Sequence, residues 1–199
     1  MSSQSDWPTY MKGHKEHYHA LGVIAAAFNL LEHRLLGLFM LYVSEFDDVT
    51  ALMFQRIRDN GTRSDFLARA VTARGESPEI KDAVAHFCKG FDTCAQNRNT
   101  LMHSATAPVI ENGEIVETVF SKGKKGQPLD WNRYSLDLTQ LRNVADEMHE
   151  FTTFGRNLMN YVFGQYRRRI AEGPFQVPTS TTLPEKPPLP TLLTPRPPE

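Results

Sequence analysis

Arg98, Asn99 and His103 fall within one six-residue stretch, and their side chains are the types that phosphate chemistry requires. A histidine titrates near neutrality and can serve as acid or base. An arginine grips phosphate through two parallel N–H groups and keeps its charge while a transition state gains negative charge. An asparagine can orient either group. If the stretch is helical, Asn99 and His103 are four apart and share a face. Arg98 then stands about 100° from Asn99 and about 140° from His103. One ligand can meet all three only near a helix end, or where a second copy of the chain contributes. Pro108 stops anything helical shortly afterwards, which places the three residues near such an end.

The elements that must position them can be read from periodicity. Leu21, Ile24, Phe28, Leu31, Leu35, Leu38 and Tyr42 alternate steps of three and four, which predicts one long helix over 16–43. A shorter helix through Ala51, Leu52, Phe54 and Ile57 is expected to break at Asn60-Gly61. Thr62, with Asp65 three residues on, reads as the start of a third helix ending near Gly75. Ser77-Pro78 opens a fourth, because serine caps well and proline at the first helical position gives up no needed donor. That helix is expected to reach about His103. Residues 109–120 read as a small hairpin turning at Glu111-Asn112-Gly113-Glu114, and 131–136 suggest a third short strand. Asp137, with Gln140 three residues later, caps a last helix to about Ile170. The expected fold class is all-α: an antiparallel bundle of about five helices, with a small β-hairpin insertion before the last helix. Nine of the 13 prolines lie from Pro174 onward, so 172–199 cannot build a core. A disordered tail with polyproline II character is expected, although Pro187-Pro188-Leu189-Pro190 would also suit an aromatic groove.

Two charges interrupt apolar stripes. Ile80, Val84, Phe87, Phe91, Cys94, Arg98 and Leu101 keep four–three spacing, so Arg98 stands where a leucine is expected. In the first helix Glu32 interrupts Leu21, Ala25, Phe28, Leu35, Phe39 and Tyr42 in the same way. An unpaired buried charge is costly, about 3–5 kcal/mol when one partner of a pair is removed. The economical expectation is that Glu32 and Arg98 form a supporting ion pair, within a chain or across a dimer; the alternative is that they snorkel past the edge of the core.

At this point a resemblance becomes specific. The run Arg98-Asn99-Thr100-Leu101-Met102-His103 resembles the Arg-x(4–6)-His motif of the HEPN superfamily of all-helical domains. The long first helix with its internal glutamate, and a helix after the motif, are also similar. The resemblance covers roughly 16–170. It divides the chain into an N-terminal extension (1–15), a helical domain (16–171) with the hairpin at about 108–121, and the Pro-rich tail (172–199). It implies metal-independent RNA cleavage without a cofactor, in which the 2′-hydroxyl attacks the adjacent phosphate and leaves a 2′,3′-cyclic phosphate. By position in the motif, His103 would be the acid or base, Arg98 the phosphate binder and Asn99 the orienting group. The implied assembly is a homodimer with a composite active site acting on an RNA substrate. Toxin or antiviral roles, with an antitoxin or regulatory partner, belong to the same implication. Other members have lost activity, so a catalytically inactive dimerisation or interaction module is the alternative.

The rest of the chain bounds the reading. A formal net charge of -1 over 199 residues gives no global attraction to RNA, so contact must come from local patches. Arg167, Arg168 and Arg169 could hold phosphates together with Lys122, Lys124 and Lys125, although cations at a helix C-terminus are explained by the dipole alone. His14, His17 and His19 cluster near Glu16, where a metal site competes with plain exposure at a helix start; no metal site is expected. Cys88 and Cys94 lie six apart on different helix faces and cannot bridge each other, which suits a reducing, cytoplasmic setting. No basic region followed by an apolar run opens the sequence, and residues 21–43 carry Asn29, Glu32, His33 and Arg34 at their middle. The expectation is therefore a core helix and no membrane association.

Overall fold

The computed structural model describes residues 15–43, 47–124, 127–170 and 182–197, apart from the side chains of 47, 124, 127–130 and 166–170. Its elements are α1 (Lys15–Tyr42), α2 (Asp47–Arg56), α3 (Asn60–Ala73), α4 (Pro78–Met102), β1 (Ala105–Glu111), β2 (Glu114–Lys124), β3 (Gln127–Leu136) and α5 (Leu138–Ile170). The N-terminal extension lies outside the described residues except for Lys15.

Three long helices form the frame. Contacts between α1 and α5 advance together, from the Glu16–Arg142 ion pair to Arg34 beside Gly155 and Gly37 beside Met159. These two helices therefore run in the same direction. Contacts of α4 with α5 run oppositely, Phe87 meeting Phe154 and Gly90 meeting Phe151. The three therefore run up–down–up, in which the first and third members share a direction and the middle one opposes both. The predicted stripe of α1 is its buried face: Ile24, Phe28, Leu31, Leu35 and Leu38 are all inaccessible or nearly so. By length and composition α1 could cross a membrane. Here that apolar face forms the core, with Phe28 stacked on Phe91 at 5.7 Å. Each such aromatic contributes roughly 1.5–3 kcal/mol through burial.

The predicted stripe of α4 is likewise internal, with Ile80, Val84, Phe87, Phe91, Cys94 and Leu101 buried. Its start follows the expected chemistry: Ser77 Oγ accepts from Ile80 N at 3.4 Å and Pro78 holds the first turn. At the start of α5, Gln140 N donates to Asp137 Oδ1 at 2.7 Å and Asp137 N donates to Gln140 Oε1 at 2.9 Å, a reciprocal capping box. The start of α3 differs from expectation. Asp59 is the cap, accepting from Thr62 N at 2.7 Å, and Asn60-Gly61 lie inside the first turn. An aspartate before the break was the stronger cap signal.

The insertion is larger than a hairpin. Three antiparallel strands form a sheet in the order β1-β2-β3, joined first by Asn112 (φ 51°) and Gly113 (φ 83°), the positive-φ pair that a tight hairpin turn needs. Pro108 sits within β1, where an edge strand tolerates a missing N–H. Phe120, Tyr134 and Leu136 point inward and seat the sheet on the helices.

The tail also departs from expectation. Residues 182–197 lie extended against the body, held at Asp82, His86, Asn97, Glu147 and Arg133. A proline-rich segment cannot make a core of its own, but here it borrows a groove made by other elements.

Candidate functional site

Arg98 sits in the last turns of α4 and is half-buried. Its guanidinium carbon lies 5.6 Å from the ring centre of Phe28 on α1, within cation–π range. Its Nη1 donates to Asn99 Oδ1 at 3.0 Å, while its Nε is buried and has no hydrogen-bond partner among the described residues. A buried N–H without an acceptor is costly. Arg98 forms no ion pair among the described residues. Among the described residues the guanidinium is thus held by an aromatic face and one neutral amide, with no anionic partner.

His103 is the residue that closes α4. Its main-chain N–H donates to Asn99 O at 3.3 Å, and its side chain is exposed. Two residues later β1 begins, and Ala105 pairs with Ser121 of β2. His103 is therefore fixed at the junction of helix and sheet. Arg98 and Asn99 are joined directly; no hydrogen bond joins the His103 ring to either among the described residues.

The expected Glu32–Arg98 pair is not formed within the chain. Glu32 Oε1 instead accepts from Arg63 Nη1 at 2.5 Å. Arg63 is a residue that sequence reading missed. Its Nε donates to Phe54 O at 3.1 Å and Ile57 O at 2.7 Å, its Nη1 also reaches Asn60 Oδ1 at 3.2 Å, and its guanidinium carbon covers the Phe54 ring at 4.2 Å. One side chain thus binds α1, the end of α2 and the start of α3. Glu32 supports the fold through Arg63 and not through Arg98.

The sheet brings further residues toward the end of α4. Because Ala105 pairs with Ser121, the strand residues Lys122 and Gly123 run past the start of β1 toward the helix end. On β3, Arg133 pairs with Ser121 and Trp131 pairs with Gly123. Trp131 is 51% exposed, and Arg133 shares its outward face. An exposed tryptophan beside an arginine can stack a base and bind its phosphate, an arrangement that β3 was too ambiguous in sequence to reveal. Of the weaker candidates, Lys124, Arg167, Arg168 and Arg169 have side chains outside the described residues.

Asn97 is the second missed residue, 1% exposed although polar. Its amide donates to Thr191 O at 2.8 Å and accepts from Leu193 N at 2.9 Å. Sequence gave no signal, because both partners lie in the tail.

Among the described residues His17, His19 and Glu16 do not form a shared metal site. His14 lies outside the described residues, His17 is buried within α1, and Glu16 pairs with Arg142 at 3.5 Å. Among the described residues no group of three or more His, Cys, Asp and Glu side chains is placed to share a metal ion. Burial pushes the Cys88 and Cys94 thiols up to about 12, with the charges of Asp92 and Glu147 respectively adding to it. Neither is a nucleophile at neutral pH. A groove of about 520 Å³ between α1 and α5, lined by His19, Val23, Arg142 and Asp146, contains none of the motif residues.

No known family model, curated protein or solved structure matches this chain.

Proposed function

We propose that the chain is a metal-independent endoribonuclease of the HEPN type, acting in the cytoplasm as a homodimer. The observation that supports this reading most is Arg98: a half-buried cation, backed by Phe28 and steadied by Asn99, five residues before an exposed histidine at the end of the same helix. A stability role would call for an anionic partner, and Glu32 is engaged elsewhere.

In the proposed reaction the ribose 2′-oxygen forms a bond to the adjacent phosphorus while the bond from phosphorus to the 5′-oxygen breaks. The 2′-hydroxyl proton must leave and the 5′-oxygen must gain one. His103 of one copy takes the first, and the same residue of the second copy supplies the other. Arg98 binds the phosphate oxygens and stabilises the charge that develops on them. Asn99 keeps the guanidinium in place. Trp131 and Arg133 extend the surface along the RNA. A toxin or antiviral setting, with a regulatory partner, belongs to this proposal.

The test is cleavage of diverse RNAs by purified protein in EDTA, beside His103→Ala. Loss of at least about 10²-fold in rate is expected for the variant, the low end of general acid–base contributions. A second reading, a non-catalytic interaction module, is favoured by the peptide-like seating of the tail; under it, wild type and variant are equally inert.

A further inference from the structure

The tail is seated with a regularity that its composition alone does not require. Leu183, Pro184, Pro187, Pro190 and Leu193 are the positions turned toward the body, the last four of them at a spacing of three, and Pro190 is buried. Leu189 and Leu192, between them, are 37% and 47% exposed. A polyproline II helix repeats every three residues, so one of its edges is inserted and the others are left in water.

The groove receiving it lies between α4 and α5. One wall is aromatic: His86 stacks on Phe151 at 5.6 Å and meets Phe154 edge-on at 5.8 Å. Phe154 lines the cleft beside Pro187 and Pro188. The hydrogen bonds from groove to strap read its main chain. His86 Nε2 donates to Pro187 O at 2.8 Å, Glu147 accepts from Thr191 N at 3.1 Å, and Asn97 grips Thr191 O and Leu193 N together. Side-chain selectivity comes from the seats at 187, 190 and 193 and from Lys186, which pairs with Asp82. Groove residues Asp82 and Glu150 give the Lys186 end of the cleft an acidic character suited to a lysine.

We propose that this groove is a peptide-recognition site for extended segments of the pattern Lys-Pro-x-x-Pro-x-x-Leu, held closed by the chain's own tail and opened when a proline-rich segment of a partner protein replaces it. Main-chain contacts can be met by any strand of that geometry, and prolines fit where the groove offers no acceptor for an N–H. Tethering keeps the tail at an effective concentration on the order of millimolar, so it shields the groove from weaker ligands. This inference does not depend on the ribonuclease reading.

The test uses the full chain with Pro190→Asp and Leu193→Asp, substitutions confined to the tail. A labelled peptide with the sequence of residues 182–197 is titrated into wild type and variant, followed by fluorescence anisotropy. Hydrogen exchange at Thr191 and Leu193 is followed in parallel. Slow exchange at both amides is expected in wild type and fast exchange in the variant. The peptide is expected to bind the variant at least tenfold more tightly than wild type. Adding Asn97→Ala to the variant is expected to weaken that binding tenfold or more. Equal binding to both proteins, no binding to the variant, or a tail that stays protected after both substitutions would overturn the proposal.

Discussion

Replacing Gly90 by alanine is expected to lower stability by about 2 kcal/mol, and the reasoning rests on a single close approach. A Cβ at this position would stand 1.9 Å from Phe151 Cε1, 2.3 Å from Cζ and 2.5 Å from Cδ1. Carbon atoms in good contact stay about 3.5–4.0 Å apart, so the ring or the helix must move by roughly 1.5 Å. The ring has little room to retreat: it is 1% exposed, stacked on His86 and 6.1 Å from Phe154. Overpacking of this kind costs about 1–3 kcal/mol and occasionally more, and a clash this severe belongs at or above the top of that range. Alanine returns up to about 1 kcal/mol through helix propensity. The net of about 2 kcal/mol corresponds to a Tm lowered by roughly 4–8 °C for a chain of this size. Gly22 in α1 is the control, because a Cβ there meets nothing within 4 Å. Gly22→Ala should gain up to about 1 kcal/mol. Equilibrium urea unfolding followed by circular dichroism reads both. A Gly90→Ala protein as stable as wild type, or a Gly22→Ala protein that loses as much, would refute the α4–α5 packing that fixes the end of α4.

Three further outcomes follow from the same contacts. Arg63→Met is expected to cost about 2–3 kcal/mol, below the usual value for a buried pair because the Glu32 side chain is 36% exposed. Arg63→Lys should recover only part of that loss, since an ammonium cannot reproduce the bonds of Nε to Phe54 O and Ile57 O; denaturant midpoints for both variants decide it. Burial raises the Asp92 carboxyl above its ordinary value, against the lowering effect of the hydrogen bond from Ser64. A raised carboxyl favours the fold while protonated, so its contribution is present below about pH 3.8 and is lost as pH rises through the folded value. Asp92→Asn should therefore gain on wild type in thermal melts at pH 7 and show no such gain at pH 3. With both thiols near 12, Cys88 and Cys94 should resist a thiol reagent at pH 8 in the folded protein and react at once in denaturant, and rapid labelling of the folded protein would contradict their burial.

Local signals carried much of the fold. The Ser77-Pro78 start, the Asp137/Gln140 capping box, the Asn112-Gly113 turn and the buried stripe of α4 each depend on neighbours within a few residues, and the structure shows each of them. The partner of Glu32 was not legible. Periodicity shows that a charge faces inward, but which opposite charge it meets depends on where α3 crosses α1, and Arg63 in a first helical turn reads as a surface residue. Asn97 and the tail failed for one shared reason. Composition shows that a proline-rich segment cannot bury itself, and it is silent on whether a groove assembled from α4 and α5 will receive it. For the candidate site, the facing of Arg98 and the helix end at His103 were legible from spacing, whereas Trp131 and Arg133 needed the register of the sheet.

The most direct measurement of the central claim is the chemistry of the cut ends. Wild-type protein in EDTA would be given an RNA and the same RNA with a 2′-deoxy nucleotide at the position 5′ to the cut, and the products read by mass spectrometry. The proposed mechanism gives 2′,3′-cyclic phosphate and 5′-hydroxyl ends, no cleavage at the deoxy position, and none of these products from His103→Ala. Products ending in 3′-hydroxyl and 5′-phosphate, or cleavage that persists at the deoxy position, would contradict it.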